Sequence, residues 1–206
     1  MAGIETNAGP VNLFMQQLIF ASGNRHKAEE IEAALPEGFH ILTMKDAGVD
    51  EEIPEPFDTL DENSKHKAQF LFERLKQDCF AEDTGLEVEA LNGEPGVKSA
   101  RYAGEGRDFD ANIDKLLLNL AAQKNRNARF RTVFTLIKQG IVYQFEGICT
   151  GTIIENRTGT GGFGYDPVFL PDGSTHTFAE MTMEEKNRFS HRKKGLERMI
   201  EFLKKS

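Results

Sequence analysis

The sequence predicts an α/β fold with a mixed β-sheet, on three observations. The strand-like LIFAS is followed by a helix over about residues 25–35 and then by FHILTM, which makes a βαβ opening. Two longer strand-like runs, ARFRTVFTLIK and IVYQFEGICTGTII, are joined by a turn at Gln139 and Gly140. A last helix starts at Ser190, and its apolar residues recur at the spacing of a helix that covers a core.

Local signals define the remaining elements. Thr59 and Glu62 match the pattern of a capping box, and the apolar spacing after them predicts a helix over about residues 60–77. The stretch CFAEDTGLEVEAL predicts two short strands around a turn at residues 83–85. Further along the chain we expect a helix over residues 113–120, a strand at PVFL and a short helix near residues 178–187.

Chain length favours one folding unit. At 206 residues the chain can build one substantial core, and no Pro- or Ser-rich linker marks a boundary, so we expect a single domain over residues 15–206. The first residues have no periodicity, and Met15 stands just before the first strand. Residues 1–14 are therefore interpreted as an N-terminal extension of that domain.

The overall composition argues against several classes of partner. A net charge of -8 argues against a general nucleic-acid surface, because such surfaces gain affinity by releasing counterions from many phosphates. No apolar run approaches the roughly 20 residues needed to span a bilayer. Cys79 and Cys149 lie in apolar stretches without a CxxC pair, which favours buried free thiols. We expect a cytoplasmic protein with neither a nucleic-acid nor a membrane partner.

The stretch SGNRHK is the first candidate for ligand binding. It follows the first strand and opens the first helix, where free backbone N–H groups and the helix dipole favour an anion. Ser22 and Asn24 add hydrogen-bonding side chains, and Lys27 adds positive charge. The alternative is a plain strand-to-helix turn capped by Asn24. The stretch is not a P-loop, since GxxxxGK[ST] is absent.

Acidic residues form the second candidate. The stretch IPEPFDTLDEN holds four carboxylates, and AEDTG adds two more: Glu55, Asp58, Asp61, Glu62, Glu82 and Asp83. Carboxylates that converge on a cleft suit Mg²⁺, which takes hard oxygen ligands and shares the phosphate oxygens of its substrate. The alternative for the first stretch is a solvated loop with helix caps. Asp83, after an apolar strand and before Thr-Gly, is harder to explain in that way.

Basic residues form the third candidate. Lys65 and Lys67 lie on the helix predicted over residues 60–77, and Lys186, His191 and Arg192 flank the start of the last helix. Cations in the first turn of a helix oppose its dipole, which is a hint of an anionic ligand at that end. Solvated surface charge is the alternative.

The loop GTGGFGYDPVF is the fourth candidate, with four glycines in its first six residues. Glycines let a backbone come close to a flat ligand. Phe163 can stack on an aromatic base, and the Asp166 carboxylate can accept hydrogen bonds from base N–H groups. A tight hairpin without a ligand is the alternative, but it would rarely need so many glycines.

Taken in order, these stretches resemble the inosine triphosphate pyrophosphatase family. The likeness runs over about residues 17–204 and rests on SGNRHK, IPE with the later ENSKHKA, AEDTGLEVEALNGEPGVKSARYAG, GTGGFGYDPVF and FAEMTMEEKNRFSHR. It implies an elongated α/β fold in which two lobes enclose a substrate cleft, usually as a homodimer. It also implies Mg²⁺-dependent hydrolysis of ITP, dITP and XTP to the monophosphate and pyrophosphate, which keeps deaminated purines out of nucleic acids.

The resemblance further implies roles for individual residues. Asp83 would be the general base and a metal ligand, and Glu55 the second metal ligand. Glu82 stands where many relatives have a second aspartate, so the role of that aspartate is not carried over. The residues that would contact the nucleotide are Ser22, Gly23, Asn24, Arg25, His26, Lys27, Lys67, Thr84, Phe163, Gly164, Tyr165, Asp166, Lys186, His191 and Arg192.

The chemistry of the residues agrees with this reading, and three alternatives stay open. Hydrolysis of a phosphoanhydride needs charge neutralisation, an in-line water and a base, which the lysines, Mg²⁺ and Asp83 could supply. A site built for the 6-oxo group and protonated N1 of hypoxanthine would leave adenine mismatched. The alternatives are a related pyrophosphatase for pyrimidine or other modified nucleotides, a nucleotide-binding module without turnover, and an RNA-binding protein, which the negative charge disfavours.

Overall fold

The computed structural model describes residues 16–205, which fold as a seven-stranded mixed β-sheet with helices on its faces. The predicted fold class is confirmed. The predicted extension at residues 1–14 lies outside the described residues.

The strands are β1 (Gln16–Phe20), β2 (Phe39–Thr43), β3 (Cys79–Val88), β4 (Pro95–Gly96), β5 (Asn127–Lys138), β6 (Ile141–Ile153) and β7 (Phe169–Pro171). Their order is β2-β1-β3-β5-β6-β7, and β4 pairs with β3. Strand β1 runs parallel to β2 and β3, whereas the other pairs are antiparallel. The helices are α1 (Arg25–Glu32), α2 (Leu60–Leu75), α3 (Phe109–Asn119), α4 (Met183–Phe189) and α5 (His191–Lys205).

Strand β3 corrects the sequence prediction at its centre. Two short strands around a turn at residues 83–85 were expected, but β3 is one strand that pairs with β5 from Cys79 to Val88. Gly85 serves close approach rather than a turn, because a Cβ there would lie 2.5 Å from the carbonyl oxygen of Gly96 on β4. Continuous pairing with β5 therefore overrides the local turn signal of Asp-Thr-Gly.

Strand β3 also contributes to three hydrophobic clusters, which define two lobes. The first lobe packs α1 and α5 on one face of the sheet, around Phe80, and α2 on the other face, around Ala81. The second lobe packs Leu86 and Val88 with α3 and with the segment that leads into β7. The polar residues 82–84 lie between these apolar halves of the strand. The fold thus places them where the lobes meet.

The structure confirms the predicted start of α2, the turn between β5 and β6, and the start of α5. Thr59 Oγ1 accepts the Glu62 N–H at 3.2 Å, as predicted for the N-cap of α2. The Glu62 carboxylate accepts the Thr59 hydroxyl at 2.7 Å, whereas the predicted capping box requires a bond to the Thr59 backbone N–H. Gln139 and Gly140 form the turn between β5 and β6 with φ values of 52° and 78°, in the left-handed region that two-residue hairpins use. Ser190 caps α5 by accepting the Lys193 N–H at 3.2 Å.

Three other elements differ from their predicted bounds. Helix α3 starts earlier than predicted, because Asp108 caps it by accepting the Ala111 N–H at 3.1 Å. The strand expected at PVFL begins only at Phe169, after a 3₁₀ turn at Asp166–Val168. The helix expected near residues 178–187 divides into a 3₁₀ turn at Phe178–Glu180 and α4, because each piece has its own capping box.

Two glycines let the start of α5 lie directly on the sheet. A Cβ at Gly147 on β6 would overlap the backbone carbonyl oxygen of His191, and a Cβ at Gly195 would lie 2.8 Å from the Phe134 ring. Because neither position carries a side chain, the first turn of α5 packs closely against β5 and β6. This fixes the positions of His191 and Arg192.

Both cysteines are buried and free, as predicted. Burial raises the pKa of Cys79 to about 12 and that of Cys149 to about 11, so both thiols stay protonated near neutral pH. Within residues 16–205 the structure contains no helix with the length and apolar character that crossing a membrane requires.

Candidate active site

Two adjoining cavities lie between the lobes. The outer cleft includes Ser22, Gly23 and Lys67, and the inner chamber has a volume of about 100 Å³. The two spaces share four lining residues: Asn24, Lys27, Glu55 and Ala100. The remaining predicted site residues that line the inner chamber are Asp83, Thr84, Phe163, Gly164, Tyr165, Asp166, Lys186, His191 and Arg192. The structure thus brings together residues from distant parts of the sequence.

The N-terminus of α1 faces the outer cleft. Asn24 is the N-cap, and its Oδ1 accepts the Lys27 N–H at 3.2 Å, while Ser22 Oγ accepts the Asn24 N–H at 3.1 Å. The capping role described as an alternative is therefore present, and the helix N-terminus lies beside the outer cleft, where its free N–H groups favour an anion. Arg25 lines neither cavity: its side chain is 89% exposed and pairs with Glu29.

A buried lysine lies at the junction of the two cavities. Lys67 Nζ donates to Glu55 and to Asp83, each at 2.7 Å. Burial lowers the pKa of Lys67, but Asp83, Glu55 and Glu82 outweigh burial and raise it, so the lysine stays charged. Burial raises the pKa of Asp83, and the negative charge of Glu55 raises it further. Lys67 and Lys27 lower it, but the net effect is a raised pKa. A raised carboxylate pKa suits a group that must accept a proton.

Glu82, the departure from the family pattern, is a fully buried partner of two cations. Its Oε1 lies 2.6 Å from Lys27 Nζ, and its Oε2 lies 3.8 Å from Arg192 Nε. Oε2 also accepts the Thr132 hydroxyl at 2.7 Å and the Thr84 hydroxyl. Burial raises the pKa of Glu82, but Lys27 and Arg192 outweigh it and hold the pKa far below its ordinary value. This carboxylate links the α1 side of the site to the α5 side.

A second buried ion cluster lies on the side of the inner chamber formed by α4 and α5. Lys186 Nζ donates to Glu30 and to Asp166, each at 2.6 Å, and Arg192 pairs with the other oxygen of Glu30. Glu30, Lys186 and Arg192 are 5%, 4% and 2% exposed. The cations are therefore fixed by hydrogen bonds and are not solvated surface charge, which was the alternative from sequence.

Sequence reasoning did not identify Glu30. A signal was present, because Glu30 lies one helical turn after Lys27, beside the buried Ile31, on a helix whose other glutamates are exposed. An acidic residue on the buried face of an amphipathic helix calls for a cationic partner from elsewhere in the chain. That partner could not be chosen from sequence, since it lies more than 150 residues away.

The glycine-rich loop forms the wall opposite α1. The Phe163 ring stacks on the His26 ring, with centroids 5.1 Å apart, and the centroid of the Phe109 ring lies 6.1 Å from that of Phe163. Asp166 Oδ2 accepts the Phe163 N–H at 2.9 Å, and a Cβ at Gly162 would overlap the same carboxylate. This glycine therefore makes room for the loop's own aspartate. Phe109, at the start of α3, is a chamber residue that the sequence did not indicate.

The inner chamber is small, and aromatic rings are among its lining residues. Its volume of about 100 Å³ is below the roughly 300 Å³ at the small end of ligand pockets. A ring-shaped ligand would therefore have to displace the Phe163 side chain from its contact with His26. Tyr165 would stay in place, because it is buried and its hydroxyl donates to the Ser99 carbonyl at 2.9 Å.

His191 is an uncharged member of the site. Its ring stacks on Phe130 with centroids 4.8 Å apart, and it is only 3% exposed. Burial lowers the pKa of His191 well below its ordinary value, and the neighbouring Arg192 adds to this effect. Neither ring nitrogen has a hydrogen-bond partner, and the residue lines the inner chamber. His191 can therefore offer a neutral ring nitrogen to a ligand.

Glu55 and Asp83 fit the requirements of a Mg²⁺ site. Among residues 16–205, no three His, Cys, Asp or Glu side chains converge as a self-contained metal site. Mg²⁺ needs fewer protein ligands, because it keeps waters and is often held by one or two carboxylates with substrate phosphates. Glu55 and Asp83 contact the same Lys67 nitrogen and so face one point. Lys27 and Lys67 are already paired with carboxylates, so they do not fully neutralise the negative charge that a triphosphate would bring. Mg²⁺ can offset the remainder.

The other acidic residues weighed for metal have structural roles or lie in solvent. Asp61 pairs with Arg131 at 3.0 Å, Glu62 accepts the hydroxyl of the N-cap residue Thr59 at 2.7 Å, and Asp58 is exposed. Lys65 is also exposed, unlike Lys67. Asp58 and Glu62 therefore match the solvated-loop and helix-cap alternative, and Lys65 matches the alternative of solvated surface charge. Asp61 matches neither, because it is partly buried in an ion pair.

Fold and site together define a class: an α/β protein with a charged, aromatic-lined nucleotide cleft between two lobes. The chain belongs to the Ham1 family, whose model matches residues 18–202. This confirms the family resemblance drawn from the sequence motifs.

Individual relatives agree with this assignment. A dITP/XTP pyrophosphatase of Flavobacterium johnsoniae is 50% identical over 187 residues, which cover 91% of this chain and 97% of that protein. The structure of the Staphylococcus aureus Ham1 protein matches with a TM-score of 0.83 and 34% identity over 92% of this chain and 98% of that one. A HAM1 protein from Coxiella burnetii matches with a TM-score of 0.84 and 32% identity over 93% and 100%.

Proposed function

We propose that this chain hydrolyses deaminated purine nucleoside triphosphates, namely ITP, dITP and XTP, to the monophosphate and pyrophosphate, and so removes them from the nucleotide pool. The name dITP/XTP pyrophosphatase of the F. johnsoniae relative supports this at 50% identity. The observation that carries the proposal is the pair of buried cations, Lys186 and Arg192, that line the inner chamber beside Phe163.

This pair of cations supports selection of the base. Lysine and arginine side chains only donate hydrogen bonds. The 6-oxo group of hypoxanthine or xanthine is an acceptor and would satisfy such donors, whereas the 6-amino group of adenine would face them with another donor. Phe163 would stack on the base, and Asp166 would accept from its N–H edge. Gly164, Tyr165 and His191 would complete the contacts around the base.

The outer cleft would receive the triphosphate. The first N–H groups of α1, together with Ser22, Lys27 and Lys67, would bind phosphate oxygens. Asp83 would take a proton from the attacking water, while water adds to phosphorus and the bond to the leaving pyrophosphate breaks. Mg²⁺, which Glu55 and Asp83 would hold, supplies charge neutralisation at the phosphates when it is bound.

Pyrophosphate release by the purified protein tests the proposal. The substrates are ITP, dITP, XTP, GTP, ATP and dUTP, each with Mg²⁺. We expect ITP, dITP and XTP to be hydrolysed at least about tenfold faster than ATP, since adenine mismatches a donor-lined site. Equal rates on ATP and ITP would contradict the assigned base selection. Binding without pyrophosphate release would instead favour a nucleotide-binding module, and preference for dUTP a pyrimidine enzyme.

Asp83→Asn tests the assigned base. We expect kcat for ITP to fall by about 10²- to 10⁴-fold, the usual contribution of a general base. Asp58→Asn is the matched control, because Asp58 is exposed in the neighbouring acidic stretch and should leave kcat unchanged. Full kcat in Asp83→Asn would mean that another group accepts the proton.

We also propose that the chain acts as a homodimer in the cytoplasm. The family resemblance supports the dimer, and two buried thiols that remain free support a reducing compartment. Light scattering of the purified protein should give twice the mass of one chain. A monomeric mass at micromolar concentration would contradict the dimer.

A further inference from the structure

Arg101 reaches across the cleft from the second lobe to the first. It ends a 3₁₀ turn at Ser99–Arg101, next to Ala100, which lines both cavities. Its Nη2 lies 3.3 Å from Glu55 Oε2, whereas Lys67 takes the other oxygen, Oε1, at 2.7 Å. Arg101 is therefore in contact with a residue assigned to the proposed metal and phosphate site.

The backbone that carries Arg101 is tightly fixed. Ser99 Oγ accepts the Leu86 N–H at 2.8 Å and donates to the Gly96 carbonyl at 2.6 Å. Asn112 holds the chain on both sides of Arg101, by donating to the Ala100 carbonyl at 3.0 Å and accepting the Ala103 N–H at 2.6 Å. The side chain thus extends from a rigid base toward the cleft.

By contrast, the guanidinium is held loosely. The contact with Glu55 is long for a charged pair, and the other partner, Glu105, lies 3.8 Å away with a side chain that is 92% exposed. An arginine has five donors in a planar fork that matches phosphate oxygens. Exchanging the long contact with Glu55 for a contact with a phosphate oxygen therefore costs little binding energy.

We propose that Arg101 is a triphosphate-binding residue that leaves Glu55 for the β- or γ-phosphate when nucleotide and metal enter the cleft. The inference rests on the proposed function. Metal at Glu55 would compete with Arg101 for the same carboxylate, and the incoming phosphates offer the released guanidinium a new anion within the same cleft. The Arg101 side chain would then link the second lobe to the phosphate chain without movement of the lobe.

The test is binding of an ITP analogue with a methylene group between the α- and β-phosphorus atoms, measured by titration calorimetry with Mg²⁺. Arg101→Gln should weaken this analogue by about 10- to 100-fold, the range for a lost hydrogen bond to a charged group. Binding of IMP, which lacks the β- and γ-phosphates, should change by less than about twofold. An equal loss for IMP would overturn the proposal, because it would indicate general damage to the site.

Two further variants separate a phosphate contact from a structural role. Arg74→Gln is the matched control, because Arg74 also pairs with a glutamate of the segment that precedes α2 but binds Glu51, at 2.8 and 2.7 Å, rather than Glu55. It should leave analogue binding unchanged. In a Glu55→Gln background, Arg101→Gln should still weaken the analogue by about tenfold. No further loss in that background would mean that Arg101 acts only by holding Glu55, and would overturn the proposal.

Failure of this inference is distinguishable from failure of the proposed function. Pyrophosphate release from ITP by the unaltered protein reports on the proposed function. The ratio of analogue affinities between Arg101→Gln and the unaltered protein reports on Arg101. If the unaltered protein hydrolyses ITP but the ratio does not change, only the inference about Arg101 is refuted. If it neither hydrolyses ITP nor binds the analogue, both are refuted.

Discussion

Replacing Glu30 by glutamine should destabilise the whole fold, because it leaves two buried cations without their shared carboxylate. Glu30 is 5% exposed and binds Lys186 at 2.6 Å and also Arg192. Glutamine has the same shape but no charge. Breaking a buried pair by removing one partner costs about 3–5 kcal/mol, because the remaining charge stays buried.

The pKa of Glu30 gives a second route to the magnitude. Burial would raise this pKa, but Arg192 and Lys186 outweigh burial and lower it from 4.5 to about 2. A difference of this size corresponds to about 3 kcal/mol of folding free energy. Because the folded pKa lies below the unfolded one, this contribution is present above the unfolded value of 4.5 and is lost as pH falls toward 2.

Urea unfolding at two pH values tests both statements. Glu30→Gln should lower the free energy of unfolding by about 3 kcal/mol at pH 7, and the difference from the unaltered protein should shrink by about 1 kcal/mol at pH 4. Glu29→Gln is the matched control on the same helix, since Glu29 is half exposed and pairs with the exposed Arg25. A loss below 1 kcal/mol at pH 7, or a difference independent of pH, would refute the reasoning.

Three further predictions concern the same site and its support. Between pH 7 and 5 His191 is protonated only in the unfolded chain, so it makes the free energy of unfolding fall as pH falls, by at most about 1.4 kcal/mol per pH unit. His191→Phe should therefore make this fall less steep. If urea unfolding shows the same pH dependence of the free energy of unfolding in the variant, another group must cause it. Phe163→Ala should raise KM for ITP about tenfold without changing the Mg²⁺ dependence, and an unchanged KM would count against stacking. Gly147→Ala should cost about 1–3 kcal/mol, measured as a lower Tm, because its Cβ would overlap the His191 backbone.

The fold was largely predictable because its long elements carry strong local patterns. The hairpin at Gln139 and Gly140 and the capped helix after Thr59 both follow from short-range chemistry. Prediction failed at the centre of β3, where Asp-Thr-Gly has the composition of a turn. There the conformation is set by pairing with β5 and by the close approach of Gly96, and neither is encoded in the local sequence.

The site was predictable at the level of residue types but not of partnerships. The motifs indicated Lys67, Lys186 and Arg192 as cations, yet the sequence could not tell that each is buried and paired. Those pairs join residues up to 162 positions apart, so only the folded chain defines them. For the same reason the sequence could mark Glu30 as an acidic residue on a buried helix face but could not identify Lys186 and Arg192 as its partners.

The continuity of β3 and β5 through both lobes limits how the cleft can open. Residues 79–88 of β3 pair with β5 without interruption, so the lobes have a common floor instead of a flexible hinge segment. Wide separation of the lobes would break ladder hydrogen bonds across the middle of the sheet. Substrate entry must then depend on movements of side chains at the edges of the cleft, such as those of Phe163 and Arg101, while the sheet stays in place. Because of the same continuity, we expect the two lobes to unfold together in a single cooperative transition.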